Sequence, residues 1–292
     1  MRMTAVVARR DARTLWQSRA VVIGAVLLSI LIAVRLWTMD PQVTGETPGH
    51  FVVIDPGGGV PEPTTVVVYD LSRLTPVLCS FVAVGCGAGT IAGGKQTGTI
   101  RTLQSLPVSR SNVVVGTLLI RLASAMVVVL SGLVTGAVVA GFRFGTIEAG
   151  SYATFVLATL LFVTVLTTLA VSVSAVVSTR LRAIAFSLGP FLIASVVGTD
   201  RDVPLPVRSA SPVQPYQLLV TRSHDQLLAV PRIEYAIETG RIGSTANPRA
   251  LGTEILVAEA PTYLTDPGAV IILACWIVLV PISISRYRRE DL

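Results

Sequence analysis

Six apolar runs, separated by polar stretches rich in arginine, glycine or proline, set the pattern of this chain: 20–37, 74–92, 122–141, 152–177, 183–198 and 267–285. About 20 consecutive apolar residues carry a helix across a hydrocarbon core, where backbone groups can bond only within the helix itself. The pattern therefore predicts six transmembrane helices. In the first run, Arg35 can extend its charge toward the interface and Trp37 suits the aromatic belt. A basic region precedes this run, as in a secretion signal. No small-residue cleavage site follows Arg35, so a retained span is expected. The fifth run is the shortest and carries Gly189-Pro190, which predicts a kink or break because proline removes a helix donor.

The polar stretches between the runs are unequal. Segment 38–73 holds Gly57-Gly58-Gly59 and several prolines between β-rich pieces at 51–54 and 64–69, which predicts a small hairpin or flap. Segment 199–266 is longer, and its proline-punctuated amphipathic pieces at 216–230 and 232–239 predict short helices on the outer face. Loops of this length are uncommon unless they serve a function. A cap over a pathway and a simple packed ectodomain both fit. No internal repeat interrupts the scheme, and one membrane domain over 1–292 is expected.

Composition agrees with a lipid solvent. Hydrophobic residues make up 52% of the 292 residues and charged ones 14%, against about 25% charged in soluble domains. Mean hydropathy is +0.71. The net charge of +6 could suggest nucleic acid, but Lys95 is the only lysine and the arginines gather beside apolar runs. Their placement reads as topogenic charge, with no nucleic-acid partner. With both termini inside, the cytoplasmic segments hold Arg2, Arg9, Arg10, Arg13, Arg19, Lys95, Arg101, Arg110, Arg180, Arg182, Arg286, Arg288 and Arg289. Against them stand only Asp11, Glu290 and Asp291, while the other acids fall outside. The positive-inside rule thus places both ends in the cytoplasm. Arginine-rich, lysine-poor usage with acidic outer segments points to a prokaryote in a salty habitat, and the expected location is a prokaryotic plasma membrane.

Candidate chemistry within the spans is sparse. Cys79, Cys86 and Cys275 all lie in apolar runs, and no histidine joins them at metal-ligand spacing, so they read as core residues with no metal or cofactor. No Asp, Glu or His stands in the middle of a predicted span, which weakens proton-coupled transport and intramembrane hydrolysis. Gly85 with Gly89, and Gly132 with Gly136, form small-xxx-small pairs suited either to packing within the chain or to a dimer seam. Thr164, Thr168 and Ser172 form a polar stripe whose hydroxyls can bond the preceding turn or line a pathway. Arg121 falls at the mouth of the third span.

The stretch 91–121 is the most informative. Gly89, Gly94 and Lys95 match the start of a phosphate-binding loop, G-x-x-x-x-G-K, but Gln96 stands where Ser or Thr would hold magnesium. The match also follows a membrane span rather than a soluble strand, so nucleotide binding is not expected. Beyond it, Thr99 can cap a helix whose Ile100, Leu103 and Leu106 recur on one side, with Arg101 and Gln104 between them. Pro107 stops that helix, Ser109 and Ser111 bracket Arg110, and Val113 begins the next one. The pattern describes a short amphipathic element lying at the cytoplasmic interface.

This stretch resembles the membrane subunits of ATP-binding-cassette transporters of the type-2 permease family. The matching positions are Gly98-Thr99, Leu103, Leu106-Pro107-Val108-Ser109-Arg110 and Gly116. Residues 10–19, before the first span, are similar to the family's interfacial elbow helix, expected over 1–19. Two positions depart from the family pattern: Gly93-Gly94 stand where an acid precedes the Gly-Thr pair, and Thr117 replaces a lysine. The resemblance implies an all-α membrane protein with six spans, a coupling helix between spans two and three, and a large outer loop before span six. It further implies a non-enzymatic permease, likened to exporters, driven by a separate ATPase subunit and paired as a homodimer or heterodimer. On this reading Gly98, Thr99, Arg101, Leu103, Leu106, Pro107, Ser109 and Arg110 form the ATPase-coupling segment. Leu103 and Leu106 would anchor it, and the arginines would contact the ATPase rim or phospholipid. A non-transporting scaffold or regulatory subunit and an ion-driven secondary transporter are the rival readings.

Overall fold

The computed structural model describes residues 19–39, 63–99, 110–145, 147–199, 211–221, 266–278, 281 and 285–286. Among the described residues the chain is helical and holds no strand. The helices are α1 (Ala20–Thr38), α2 (Pro63–Gly87), α3 (Thr90–Gln96), α4 (Arg110–Phe144), α5 (Ala149–Val176), α6 (Arg180–Thr199), α7 (Val213–Thr221) and α8 (Asp266–Ile277). Four segments are long and apolar enough to cross a membrane: Val21–Thr38, Pro63–Gln96, Ser111–Phe144 and Ala149–Val176. The expected fifth and sixth spans correspond to α6, with 20 residues, and to α8, with 12, and neither is among those four.

The centre of the bundle is α5. It touches α2, α3, α4, α6, α7 and α8, and its sequence explains why. Its apolar residues run all around the helix, so no face is suited to water. Phe155, Phe162, Val163, Val165 and Leu166 are accordingly buried. By contrast α1 is peripheral and packs chiefly on α4. Val22, Val26, Ile30, Val34 and Trp37 remain exposed along its outer side, as suits a helix bathed in lipid. Two glycines on α4 let α1 approach. A Cβ at Gly132 would lie 2.9 Å from Leu28 Cγ, and one at Gly136 would lie 3.1 Å from both Ile32 Cγ2 and the Tyr152 hydroxyl. Tyr152 of α5 fills the remaining space and donates to the Leu133 carbonyl at 2.6 Å. Gly132 and Gly136 therefore sit at the α1–α4 crossing.

Several expectations are corrected. The piece 64–69, read as β-rich, is helical and belongs to α2, which begins eleven residues before the expected start at Leu74. Thr64, Thr65, Val66, Val67 and Val68 are all buried. Packing against the bundle outweighs the strand preference of a β-branched run, and Pro63 suits a first helical turn, where no N–H is needed. Asp70, expected in the loop, consequently lies inside a helix. Its carboxylate pairs with Arg35 of α1: Arg35 Nε donates to Oδ2 at 2.8 Å, and a terminal guanidinium N–H donates to Oδ1. Nearby, Arg143 donates to the Leu36 carbonyl at 2.8 Å, satisfying a free acceptor at the end of α1. Arg35 is thus paired across helices rather than merely extended to the interface.

No break occurs at Gly189-Pro190, since α6 runs through Pro190. One lost bond is tolerated when the turns on either side stay paired. The third span is also longer than expected. Starting at Arg110 rather than Leu122, α4 has 35 residues, about 52 Å at 1.5 Å per residue. Arg121 therefore lies eleven residues inside the helix. The elbow segment, the β-rich piece 51–54 and the amphipathic piece 232–239 lie outside the described residues.

Candidate functional site

The structure concentrates unusual polar geometry where α2 ends. Gly87 closes α2 against α5: a Cβ there would lie 3.0 Å from Ala170 Cβ and 3.3 Å from the Thr167 carbonyl oxygen. After Gly87 and Ala88 the chain turns into α3. The first N–H groups of any helix lack partners within it. Here two of them, from Ile91 and Ala92, donate to the Ser174 hydroxyl oxygen near the end of α5, each at 3.1 Å. In return Lys95 donates its amine to the Ala175 carbonyl at 2.7 Å. That carbonyl belongs to the last turn of α5, where a cation is also favoured by the helix dipole. Gln96 completes the set, its side-chain oxygen accepting the Arg180 N–H at the start of α6 at 3.3 Å. The Arg180 stem crosses Gly89 so closely that a Cβ would sit 2.9 Å from its Cγ and Nε.

This arrangement gives Lys95 a role unlike that of a phosphate-binding lysine. Of the residues in the G-x-x-x-x-G-K match, Gly89 lies against Arg180 and Lys95 reaches the end of α5. Gly98, at φ 73°, takes the left-handed conformation that ends helices, and its N–H donates to the Lys95 carbonyl at 3.2 Å. Thr99 follows, its hydroxyl 2.9 Å from that of Thr97.

Of the residues assigned to the coupling segment, Gly98 and Thr99 adjoin α3 and Arg110 is the first residue of α4. Arg101, Leu103, Leu106, Pro107 and Ser109 lie outside the described residues. Among the glycine pairs, Gly85 faces open space with no atom within 4 Å of an added Cβ, whereas Gly87 meets α5. Sequence reasoning chose the i, i+4 pair and missed Gly87, as well as Ser174 and Gln96. Ser174 reads locally as one more hydroxyl at the end of a span, and its partners are more than 80 positions away.

A second polar cluster lies deeper. Helix α7, expected on the outer surface, instead enters the core beside α2, α5, α6 and α8. Its Tyr216 is fully buried, stacks on Phe162 at 4.6 Å between ring centroids, and shares a 3.2 Å hydrogen bond with the Thr159 hydroxyl. The stripe on α5 is partly self-satisfied, since Thr164 donates to the Leu160 carbonyl at 2.7 Å. Thr168 and Ser172 are buried within the bundle.

Several helices of membrane-crossing length around a buried α5 define a polytopic helical membrane protein. Comparison with known families narrows the class. The sequence model described as ABC-2 family transporter protein matches residues 5–292, and the chain belongs to that family as an ABC-2 type permease subunit. A comparison with curated proteins gave no match.

Proposed function

We propose that the chain forms the membrane pathway of an ATP-driven exporter and receives its power stroke from a separate ATPase subunit. The observation that carries this reading is the family match along nearly the whole chain, residues 5–292. The chain itself hydrolyses nothing; it works as one transmembrane domain, in a homodimer or heterodimer with two ATPase subunits, in a prokaryotic plasma membrane. Charge placement supports six spans with both termini cytoplasmic, so that α3 and the segment after it face the ATPase. Gly98, Thr99, Arg101, Leu103, Leu106, Pro107, Ser109 and Arg110 make up the coupling segment, with Leu103 and Leu106 seated in a groove of the ATPase. A rigid-body movement there tilts the helices on either side.

Purification of the tagged chain from its native membrane tests the proposal. A stoichiometric ATPase subunit is expected to accompany it. Leu103→Asp would bury a charge in the groove and weaken the association about tenfold or more, equivalent to about 1.4 kcal/mol. Recovery of the intact chain with no ATPase from wild-type membranes would overturn the proposal. Direction is read from ATP-dependent transport into inside-out vesicles, which an exporter supports.

A further inference from the structure

We propose that α3 is a mechanical relay that makes the α5–α6 junction move with the coupling segment, with Lys95 and Ser174 as its positioning residues. The inference rests on the permease reading above and extends it to helices that adjoin the coupling segment neither in sequence nor through its ends. A segment between two spans acts directly on those spans, here α2 and α4. The hydrogen bonds of α3 reach elsewhere. Its N-terminal N–H groups end on Ser174, its amine at Lys95 ends on Ala175, and its Gln96 ends on the Arg180 N–H. Each partner is a backbone or hydroxyl group at the last turn of α5 or the first of α6.

These are reciprocal caps. The free donors of α3 are satisfied by α5, and free groups of α5 and α6 are satisfied by α3. Separating the elements would leave Ser174, which is fully buried, and two buried-side N–H groups without partners, a costly state away from water. A displacement of α3 is therefore resisted at this contact and carried into residues 174–180. The helical path changes on either side of α3. Gly98 takes a left-handed conformation just after it, and the Ala88–Gly89 turn separates it from α2. So α3 is joined to α2 through the Thr90 hydroxyl, which donates to the Gly87 carbonyl at 2.9 Å, and to α5 and α6 through the four bonds above.

The test uses the complete complex with its co-purified ATPase subunit in lipid nanodiscs. Hydrogen–deuterium exchange is compared with and without a non-hydrolysable ATP analogue. In the wild type, exchange is expected to change both at 97–99 and at 177–182. In Lys95→Met/Ser174→Ala the change at 97–99 persists while that at 177–182 falls by half or more, with ATPase stoichiometry unchanged. Lys95→Arg, which keeps a donor for the Ala175 carbonyl, restores the response in the Ser174 background. Should the double variant fail to assemble, Lys95→Met/Gln96→Ala alters half-exposed and exposed positions only and carries the same expectation. A wild-type response at 177–182 in an assembled variant would overturn the relay while leaving the permease reading intact. Absence of any ATPase from the wild-type complex would overturn both.

Discussion

Two glycines on one helix, two residues apart, should respond oppositely to the same added methyl group. At Gly87 a Cβ meets Ala170 Cβ at 3.0 Å, and the Thr167 carbonyl oxygen and Val171 Cγ2 at 3.3 Å. Two of those partners are a short methyl and a backbone atom, so neither can swing away. Overpacking of this kind costs about 1–3 kcal/mol. Alanine also gains up to about 1 kcal/mol over glycine in a helix interior, but Gly87 is the last residue of α2, so that gain is smaller here. The balance predicts a net loss of about 1–2 kcal/mol for Gly87→Ala. At Gly85 no atom lies within 4 Å of the new methyl, and the position is interior to α2, so Gly85→Ala is expected to stabilise by up to about 1 kcal/mol. Reversible unfolding in mixed micelles, followed by circular dichroism, measures both against wild type. The reasoning fails if Gly87→Ala proves as stable as Gly85→Ala, because the α2–α5 approach would then not be the constraint the distances describe.

Other contacts yield sharper contrasts still. The Arg35–Asp70 pair joins α1 to α2 through two charge-assisted bonds; a double-mutant cycle with Arg35→Gln and Asp70→Asn should return a favourable coupling, and a coupling of zero would contradict the contact. Tyr216→Phe removes the Thr159 hydrogen bond but keeps the stack on Phe162, predicting a loss of about 1 kcal/mol, whereas Tyr216→Ala empties a fully buried site and should cost about 3–5 kcal/mol. Equal losses in those two variants, by the same unfolding assay, would mean the ring is not packed as described.

Parts of this architecture were legible because membranes impose a simple rule on local sequence. Long apolar runs placed α1 within one residue and α5 within three residues of their observed ends. The start of α2 was not legible, because Thr64 to Val68 carry a strand preference and only the neighbours that bury them decide for helix. The depth of α7 was hidden for a similar reason: the partner of the Tyr216 hydroxyl, Thr159, stands 57 positions earlier on another helix. At the candidate site, the glycines and Lys95 drew notice through a coincidental spacing, and the geometry supplied a different cause. Local patterning can propose which residues are special. Which helix each one faces is settled by tertiary packing.

The peripheral place of α1 has a consequence for biosynthesis. Its packing partners Gly132 and Gly136 follow Leu28 by roughly a hundred residues, which at about 5–20 residues per second takes about 5–20 seconds to translate. For that interval α1 must persist in the bilayer with no groove to receive it. An apolar surface from Val21 to Val34, interrupted by the single hydroxyl of Ser29, allows this, since both the face later covered by α4 and the face left to lipid tolerate hydrocarbon from the outset. A polar substitution at Leu28 or Ile32 would therefore act at insertion, before the contact it disrupts has formed.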